Sequence, residues 1–465
     1  MSKCELQNKQ RLEFYPYKIF NITDKIYLYT INAGGIFEID ERTLEIINSD
    51  SEDIEQVYND VEDMFTREEF DNLIDCMKQV NFIKTVSIHD VIKNSMEEQI
   101  NKKISSVTLM LVQKCDLRCK YCYGEGGEYH DKGVMSQEVA FRAIDYLVNN
   151  SDSERLNVSF LGGEPLLNLS LIKKVISYCR DKESSTGRKF DFTMTTNGML
   201  INNEVENYLI DNHVSVQISI DGKKEEHDRN RFDAMGRGSY DKIIMNTESM
   251  RKKYLLNARA TVTKDNMDLI KIFEHLESLN FKSIPISFAQ NLMDDQDYEE
   301  LIIKNTELIL YFENLIKELR YTEAARMTII WSALQKINNA GVRYLPCGVA
   351  SNMVTVDING DLYPCHRFVS YKEYVIGNIY CGYKGRDRFI ENLNLYNHNQ
   401  CQNCWVQNLC LGGCPNENYS NTGDIHISSE KNCKMTKKMY EDLIGVYLRL
   451  SDEEKEIIFK NRDTK

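Results

Sequence analysis

The fold is decided by the stretch Leu111-Val-Gln-Lys-Cys-Asp-Leu-Arg-Cys-Lys-Tyr-Cys-Tyr-Gly124, in which an apolar run leads straight into a cysteine loop. The loop carries Cys115, Cys119 and Cys122 at the spacing C-x3-C-x2-C. Thiolates hold iron–sulfur cubanes well, and this short spacing lets one loop wrap a single cluster. A structural zinc site would need a fourth ligand. No Cys or His near the loop could supply it, apart from the more distant His130. The spacing therefore predicts a cluster with three protein ligands and one iron free to bind a small molecule.

Strand-like and helical patterns alternate from about residue 105 to residue 290. Such alternation predicts parallel strands joined by right-handed crossover helices. Six strands would form a partial (β/α)6 TIM-like barrel with its chemistry at the C-terminal ends of the strands, and the cysteine loop follows the first strand at such an end. The predicted strands are Val107–Val112, Asn157–Leu161, Phe190–Thr195, Val214–Ile220, Ala258–Val262 and Ile284–Phe288.

The composition of the chain argues against a membrane-spanning protein and against a nucleic-acid-binding protein. A chain of 465 residues is long enough for two or three domains. It has no apolar run long enough to span a membrane and begins with no secretory signal, so we expect a cytoplasmic protein. Fourteen cysteines then indicate metal or redox chemistry rather than disulfides. A net charge of −14 argues against a nucleic-acid partner.

Further motifs follow the next predicted strands, and together with the cysteine loop they resemble the radical S-adenosylmethionine (SAM) enzymes. In that family the free iron chelates the methionyl part of SAM. Phe160-Leu-Gly-Gly-Glu-Pro165 resembles the family's GGE motif, and His227-Asp-Arg-Asn-Arg231 resembles its HDxxR stretch. Thr195-Thr-Asn-Gly198 and Ser219-Ile-Asp221 match family positions that line the SAM pocket. Taken singly, each of the last three stretches also fits an ordinary polar loop.

The resemblance implies a set of SAM contacts. Glu164 would bind the amino group of SAM, because a carboxylate suits an ammonium, and Arg231 would pair with its carboxylate. The glycines would let the backbone approach closely. Tyr123 would flank the adenine or simply pack, and the acidic residues are too numerous for a general base to be assigned. The implied SAM-binding residues are Tyr121, Gly162, Gly163, Glu164, Thr196, Asn197, Ser219, Asp221 and Arg231.

Seven cysteines near the C-terminus resemble the SPASM domain of peptide-modifying radical SAM enzymes, which carries two auxiliary [4Fe–4S] clusters. A G-x4-C element, Gly360-Asp-Leu-Tyr-Pro-Cys365, makes zinc a poor competitor here. The family wiring implies three ligands for the nearer cluster, called auxiliary cluster I, and four for the distal one, called auxiliary cluster II. The ligands of cluster I would be Cys347, Cys365 and Cys414, and those of cluster II would be Cys401, Cys404, Cys410 and Cys433.

Three ligands would leave an iron of auxiliary cluster I free to bind a substrate thiolate. This arrangement is similar to that of the thioether-forming maturases of ranthipeptides and sactipeptides. Cys381 would close the site if it were the fourth ligand. Its position does not match the family's usual ligand, so we interpret it as a structural or free thiol.

The N-terminal region predicts a compact unit of three strands followed by three helices. The strands are Tyr17–Ile22, Ile26–Ile31 and Gly35–Ile39, and the helices lie near 41–48, 52–60 and 67–80. This order resembles the winged-helix recognition element that captures leader peptides of ribosomally made, post-translationally modified peptides (RiPPs). A structural cap is the alternative.

The predicted organisation has five parts: a RiPP recognition element in 1–90, a radical SAM partial barrel in 105–290, a helical connection in 291–346, a SPASM domain in 347–433 and a C-terminal helix in 434–465. The resemblance implies three [4Fe–4S] clusters, SAM, a Cys-containing precursor peptide with its leader, and an electron donor such as flavodoxin or ferredoxin. A 5′-deoxyadenosyl radical would remove a hydrogen atom from a carbon of the peptide, a cysteine thiolate would form a thioether with that carbon, and the auxiliary clusters would accept the remaining electron. The alternatives are a sulfatase-type maturase, a carbon–carbon crosslinker, and a non-catalytic iron–sulfur electron carrier or scaffold.

Overall fold

The computed structural model describes residues 12–32, 34–84, 96–129, 131–340 and 345–460. Cys4, His130, residues 85–95 and the last residues of the predicted C-terminal helix lie outside these ranges. Among the described residues, no helix is both long and apolar enough to cross a membrane.

The N-terminal unit has three antiparallel strands, β1 (Tyr17–Ile22), β2 (Lys25–Thr30) and β3 (Ile36–Ile39), in that spatial order. Helices α1 (Glu41–Asn48), α2 (Ile54–Asp60) and α3 (Arg67–Gln79) follow. Local sequence starts these helices. Asp40 accepts a hydrogen bond from the Thr43 backbone N–H at 2.8 Å, and Thr66 forms a reciprocal capping box with Glu69.

Both faces of the small sheet are buried, each against a different core. Neighbouring side chains of a strand point to opposite faces, so they enter different cores. Leu28 packs into a core with the three helices, whereas its neighbour Tyr29 joins the core of the main body. Tyr29 and Phe20 meet the Trp405 ring edge-on, with ring centroids 6.0 and 6.1 Å apart. Within the described part of the chain, strand β3 pairs only with β2, and no further strand lies on its outer edge.

The central sheet contains six parallel strands that neighbour one another in chain order. Each predicted strand is present within two residues of its expected bounds at either end. A short strand, β5 (Gly133–Val134), pairs antiparallel with the first of them. The six are β4 (Ser106–Gln113), β6 (Arg155–Gly162), β7 (Lys189–Thr196), β8 (Val214–Ser219), β9 (Leu256–Val262) and β10 (Ile286–Phe288).

Helices connect these strands and bury one face of the sheet. Alternate residues of β6 to β9 are buried, which is the pattern of strands with one packed face and one cavity face. Strand β4 is buried along nearly its whole length, so side chains on both of its faces are packed. The helices are α4 (Gln137–Asn149), α5 (Leu169–Thr186), α6 (Asn203–Asp211), α7 (Lys224–Asn230), α8 (Tyr240–Lys252) and α9 (Leu269–Ser278).

The cysteine-rich C-terminal region extends the same sheet. Strand β11 (Met353–Val356) pairs parallel with β4, and β12 (Asp361–Tyr363), β13 (Gly377–Asn378) and β14 (Gly382–Tyr383) continue it antiparallel. The sequence predicted six parallel strands and did not anticipate this seventh one. The buried Arg386 guanidinium fixes the junction by donating to the carbonyls of Ile100, Lys102, Ala350 and Ser351.

Helices complete the chain. The connecting region forms α10 (Asp295–Lys317), α11 (Tyr321–Ala324) and α12 (Thr328–Asn338), and the C-terminal region forms α13 (Arg386–Asn392), α14 (Gln407–Cys410) and α15 (Pro415–Thr422). The predicted single last helix, Met435 to about Asn461, is wrong. Two helices, α16 (Glu430–Arg449) and α17 (Asp452–Lys460), replace it, since Leu450 adopts an extended conformation that ends α16.

Candidate active site

A cavity of about 620 Å³ opens on the cysteine loop and is lined by all six parallel strands. The sheet therefore curves around one common space, as expected of a partial barrel. Hydroxyl and amide side chains form most of this strand wall, so the cavity suits a polar ligand. They are Thr108 from β4, Ser159 from β6, Thr195 from β7, Gln217 and Ser219 from β8, Thr261 from β9 and Ser287 from β10.

Close backbone packing positions the cysteine loop beside the glycines that follow β6. A Cβ atom on Gly163 would lie 2.2 Å from the Lys114 carbonyl oxygen, and one on Gly127 would lie 2.6 Å from the Gly163 Cα. Two backbone hydrogen bonds tie the segments together, from Gly163 N–H to Val112 O at 2.7 Å and from Glu164 N–H to Lys114 O at 3.0 Å. Glycine is required because no side chain fits between the two backbones.

The three cysteines of the loop all line this cavity. Burial raises the pKa of Cys115 to about 12, and it also raises the pKa of Cys119, which the nearby Arg231 guanidinium lowers in part. A metal that binds such thiols displaces their protons, so a high pKa does not prevent coordination. Three thiol donors on one wall of a polar cavity fit a cubane with one iron facing the space.

Glu164 lies behind the cavity wall and is fully buried. Its carboxylate accepts hydrogen bonds from Thr196 Oγ1 at 2.7 Å, from the Asn197 backbone N–H at 2.8 Å and from the Leu166 backbone N–H at 3.0 Å. Burial raises its pKa to about 7 in spite of these donors. Asn197 in turn donates its side-chain amide to Asp116 at 2.6 Å, so this network joins the end of β7 to the cysteine loop.

A second buried network holds Arg231 at the opposite side of the loop. Arg231 Nη1 donates to the Tyr121 hydroxyl at 2.8 Å, and that hydroxyl donates to Asp221 at 2.5 Å. The ring of His227 accepts from the Asp221 backbone N–H and pairs with Ser239, whose hydroxyl donates to the Arg231 carbonyl. Arg231 Nε is buried without a hydrogen-bond partner, which leaves a cationic donor for an anionic ligand group.

The predicted SAM-binding residues thus converge on one site in two layers. Glu164 and Asp221 are absent from the cavity wall and orient the residues that form it. The donor set and the unpartnered nitrogen of Arg231 fit a ligand with a carboxylate. The wall itself contains Tyr121, Gly162, Gly163, Thr196, Asn197, Ser219 and Arg231.

The seven C-terminal cysteines fall into two groups. Burial raises the pKa of Cys365 to about 12, and the neighbouring Cys414 and Cys347 thiols add to this shift. Burial likewise raises the pKa of Cys410 to about 12, with added effects from Cys401, Cys433 and Cys404. These neighbours are compatible with the division into three and four ligands that the resemblance implies, and that division stays a prediction.

Cys381 lies apart from both groups. It is exposed in the turn between β13 and β14. Strand β12 pairs with β13 so that Asp361 lies opposite Asn378 and Leu362 opposite Gly377, which puts this turn beyond the start of β12, whereas Cys365 follows its end. The three-thiol group therefore gains no neighbour from this turn.

The three-thiol group borders the same cavity through His366, Arg367 and Glu417, which the sequence had not singled out, and these residues meet Tyr123 there. His366 follows Cys365, and its ring centroid lies 6.0 Å from that of Tyr123. Arg367 Nη1 donates to Glu417 at 2.6 Å and lies 3.7 Å from the Cys414 sulfur. The side chains of these four residues, Tyr123, His366, Arg367 and Glu417, line the cavity. In the sequence, the one indication of the role of the last three was their position close to the predicted cluster ligands Cys365 and Cys414.

The comparison with known proteins agrees with this arrangement. Residues 109–281 match the profile of the Radical SAM superfamily. The chain belongs to this superfamily. Membership of the radical SAM superfamily implies a [4Fe–4S] cluster and SAM, which are the groups that the cysteine loop and the cavity fit.

Similar proteins include a sulfatase-maturating enzyme, a radical SAM cyclopropyl synthase and a solved structure with a bound peptide. The serine-type anaerobic sulfatase-maturating enzyme of Bacteroides thetaiotaomicron is 27% identical over 363 residues, which are 69% of this chain and 84% of that protein. The radical SAM cyclopropyl synthase TigE of Paramaledivibacter caminithermalis is 22% identical and covers 88% of this chain and 90% of its own. The structure of native anSMEcpe with bound AdoMet and Cp18Cys peptide shares the fold, with a TM-score of 0.63, 21% identity, and coverage of 75% of this chain and 100% of its own.

Proposed function

We propose that this radical SAM enzyme is a maturase that forms a thioether between a cysteine sulfur and a carbon of a ribosomally synthesised precursor peptide. Three [4Fe–4S] clusters and SAM would be its cofactors. When bound, the first cluster and SAM supply a 5′-deoxyadenosyl radical that removes a hydrogen atom from the peptide. The similarity to sulfatase-maturating enzymes supports action on a polypeptide substrate.

The chain's own residues would position the reactants. Cys115, Cys119 and Cys122 would hold the SAM cluster, and Arg231 would bind the SAM carboxylate through its unpartnered Nε. Glu164 would hold Thr196 and the Asn197 backbone in place, so that the end of β7 presents a fixed polar edge to SAM.

The observation that carries the thioether assignment is the group of three thiols beside the cavity. Cys347, Cys365 and Cys414 neighbour one another, while Cys381 is exposed in a separate turn. A cluster with three protein thiolates keeps one coordination position for an outside ligand. A cysteine of the peptide is the natural occupant, since its sulfur would then stand near the SAM side of the cavity.

A sulfatase-type maturase is the second candidate, and the named function of the Bacteroides relative favours it. Such an enzyme would oxidise a cysteine or serine of its target without joining two residues. A carbon–carbon crosslinker is the third, since the cyclopropyl synthase covers most of the chain. Each leaves a different mark on the substrate, so analysis of the product separates them.

The N-terminal unit would bind the leader of the precursor. Because both faces of its sheet are packed, an extended leader would add to the free edge of β3 and lie against α3. Tethering would raise the local concentration of the core peptide at the cavity. A labelled leader peptide is expected to bind wild type and Glu38→Ala alike, but not Glu38→Pro, since proline disrupts edge pairing. Equal binding by all three would contradict this role.

The deciding experiment is mass spectrometry of a Cys-containing precursor encoded beside this gene. The precursor is incubated without oxygen with reconstituted enzyme, SAM and a reductant, and remaining thiols are then alkylated. Loss of two hydrogens together with one alkylatable thiol would establish the thioether. An aldehyde in place of one side chain, with every other thiol intact, would favour the sulfatase-type reaction. The net change would be loss of two hydrogens if that side chain was serine, and loss of two hydrogens with exchange of sulfur for oxygen if it was cysteine. SAM cleavage with an unchanged peptide would overturn the assignment.

A further inference from the structure

Arg259 is a cavity residue that neither the cysteine motifs nor the SAM motifs account for. It lies on β9, where Leu256, Ala258 and Ala260 are buried and the alternate residues face the cavity. Its register partner on β8 is Ser219, which also lines the cavity. The strand therefore aims a long cationic side chain into the reaction space.

The charge of Arg259 is not compensated by the protein. Within the described ranges, no carboxylate forms an ion pair or hydrogen bond with its guanidinium. The other two cavity arginines differ, because Arg231 is fixed by Tyr121 and Arg367 is paired with Glu417 at 2.6 Å. Burial by the surrounding protein lowers the pKa of Arg259, although its side chain lines the cavity. An anionic group placed beside it would offset this cost.

Arg259 and Arg231 serve different parts of the cavity. The charged and titratable neighbours of Arg231 are Cys119, Tyr121 and Asp221, which belong to the SAM-cluster side. Those of Arg259 are led by Tyr123, Arg367 and Glu417, which adjoin the three-thiol group, and only Tyr121 is common to the two sets. A single SAM carboxylate paired with Arg231 would leave Arg259 available for the second reactant.

We propose that Arg259 binds a carboxylate of the peptide substrate, supplied by an Asp or Glu close to the residue that is modified. This inference rests on the proposed function, since it assigns a specificity determinant to the same cavity. The planar guanidinium would hold the carboxylate through two parallel hydrogen bonds and fix the peptide's register. Glu417 does not occupy the Arg259 guanidinium, because its carboxylate is paired with Arg367.

The test combines changes in the enzyme and in the peptide. The core peptide encoded beside this gene, without its leader, is titrated into reconstituted enzyme containing SAM but no reductant. Each Asp or Glu of the peptide is replaced in turn by Asn or Gln. The enzyme variants are Arg259→Gln, Arg259→Lys and, as the matched control, Arg155→Gln. Arg155 starts β6 at the end opposite the cavity and pairs with Asp191 on the surface.

Loss of a charged hydrogen-bonded pair predicts that Arg259→Gln weakens peptide binding by about 10- to 100-fold. One acid-to-amide change in the peptide is expected to cause a similar loss, and the two together no more than either alone. Arg259→Lys should fall between, and Arg155→Gln should match wild type.

Two results would overturn the proposal. One is a loss of SAM affinity in Arg259→Gln with unchanged peptide affinity, which would place Arg259 in the SAM site. The other is that, at every acidic position of the peptide, the acid-to-amide change either leaves binding unchanged or adds its loss of affinity to that of Arg259→Gln. A core peptide without acidic residues would overturn the proposal in the same way. Binding is measured before turnover, so this outcome is independent of whether the wild-type enzyme forms a thioether, which the mass of the product decides.

Discussion

Replacing Gly163 by alanine should remove the SAM cluster while leaving the rest of the protein folded. The added Cβ would lie 2.2 Å from the Lys114 carbonyl oxygen and 2.4 Å from its carbon, whereas ordinary contact begins near 3.4 Å. The loop would have to move by about 1 Å. It cannot do so freely, because Lys114 O accepts from Glu164 N–H and Val112 O accepts from Gly163 N–H.

The size of the effect follows from these contacts. Overpacking against a fixed backbone costs about 1–3 kcal/mol, and loss of one hydrogen bond adds about 1 kcal/mol. A local penalty of about 2–4 kcal/mol is smaller than the stability of a typical domain, so the chain should fold with a displaced cysteine loop. Displaced thiols would no longer wrap one cubane.

The assay is iron content and electron paramagnetic resonance after anaerobic reconstitution. For Gly163→Ala we expect iron to fall by about one third, as for one lost cluster of three, together with loss of the SAM-dependent change in the spectrum. Gly385→Ala is the matched control, because its Cβ would meet nothing closer than 3.9 Å. Wild-type iron content and SAM cleavage in Gly163→Ala would refute the reasoning.

Three further predictions follow from the described contacts. Cys414→Ala should lower iron content whereas Cys381→Ala should not, and equal losses in both would place Cys381 among the ligands. Burial lowers the pKa of His227 well below its usual value, so its contribution to stability is lost as pH falls below about 6.5. Between pH 7 and 5.5 the wild type should lose about 1 kcal/mol more unfolding free energy than His227→Gln, and parallel urea midpoints would contradict this. Trp405→Ala should speed amide exchange in β1 and β2 relative to Trp405→Phe, since it removes the ring that Phe20 and Tyr29 contact; unchanged exchange would show that this contact does not fix the N-terminal unit.

Local sequence was sufficient where the determining pattern is itself local. The spacing of Cys115, Cys119 and Cys122 defines one loop, and the alternation of residues along each strand defines its packed face. The strand ends could be located for the same reason, and with them the loops that meet at the cavity. The prediction of one last helix failed, because Leu450 is extended and ends α16. The sequence pattern is helical both before and after this residue, so it gave no sign of the break.

The sequence by itself determined the cluster loop, the strand–helix alternation and the cysteine order, because each depends on neighbours a few residues apart. Only the tertiary structure decided that Glu164 and Asp221 stand behind the cavity wall, that β11 joins β4, and that Cys381 lies apart from Cys365. It also brought Arg259 into the reaction space. These features depend on the pairing of segments far apart in the chain, and a strand's pattern gives its faces but not what the neighbouring segments place opposite them.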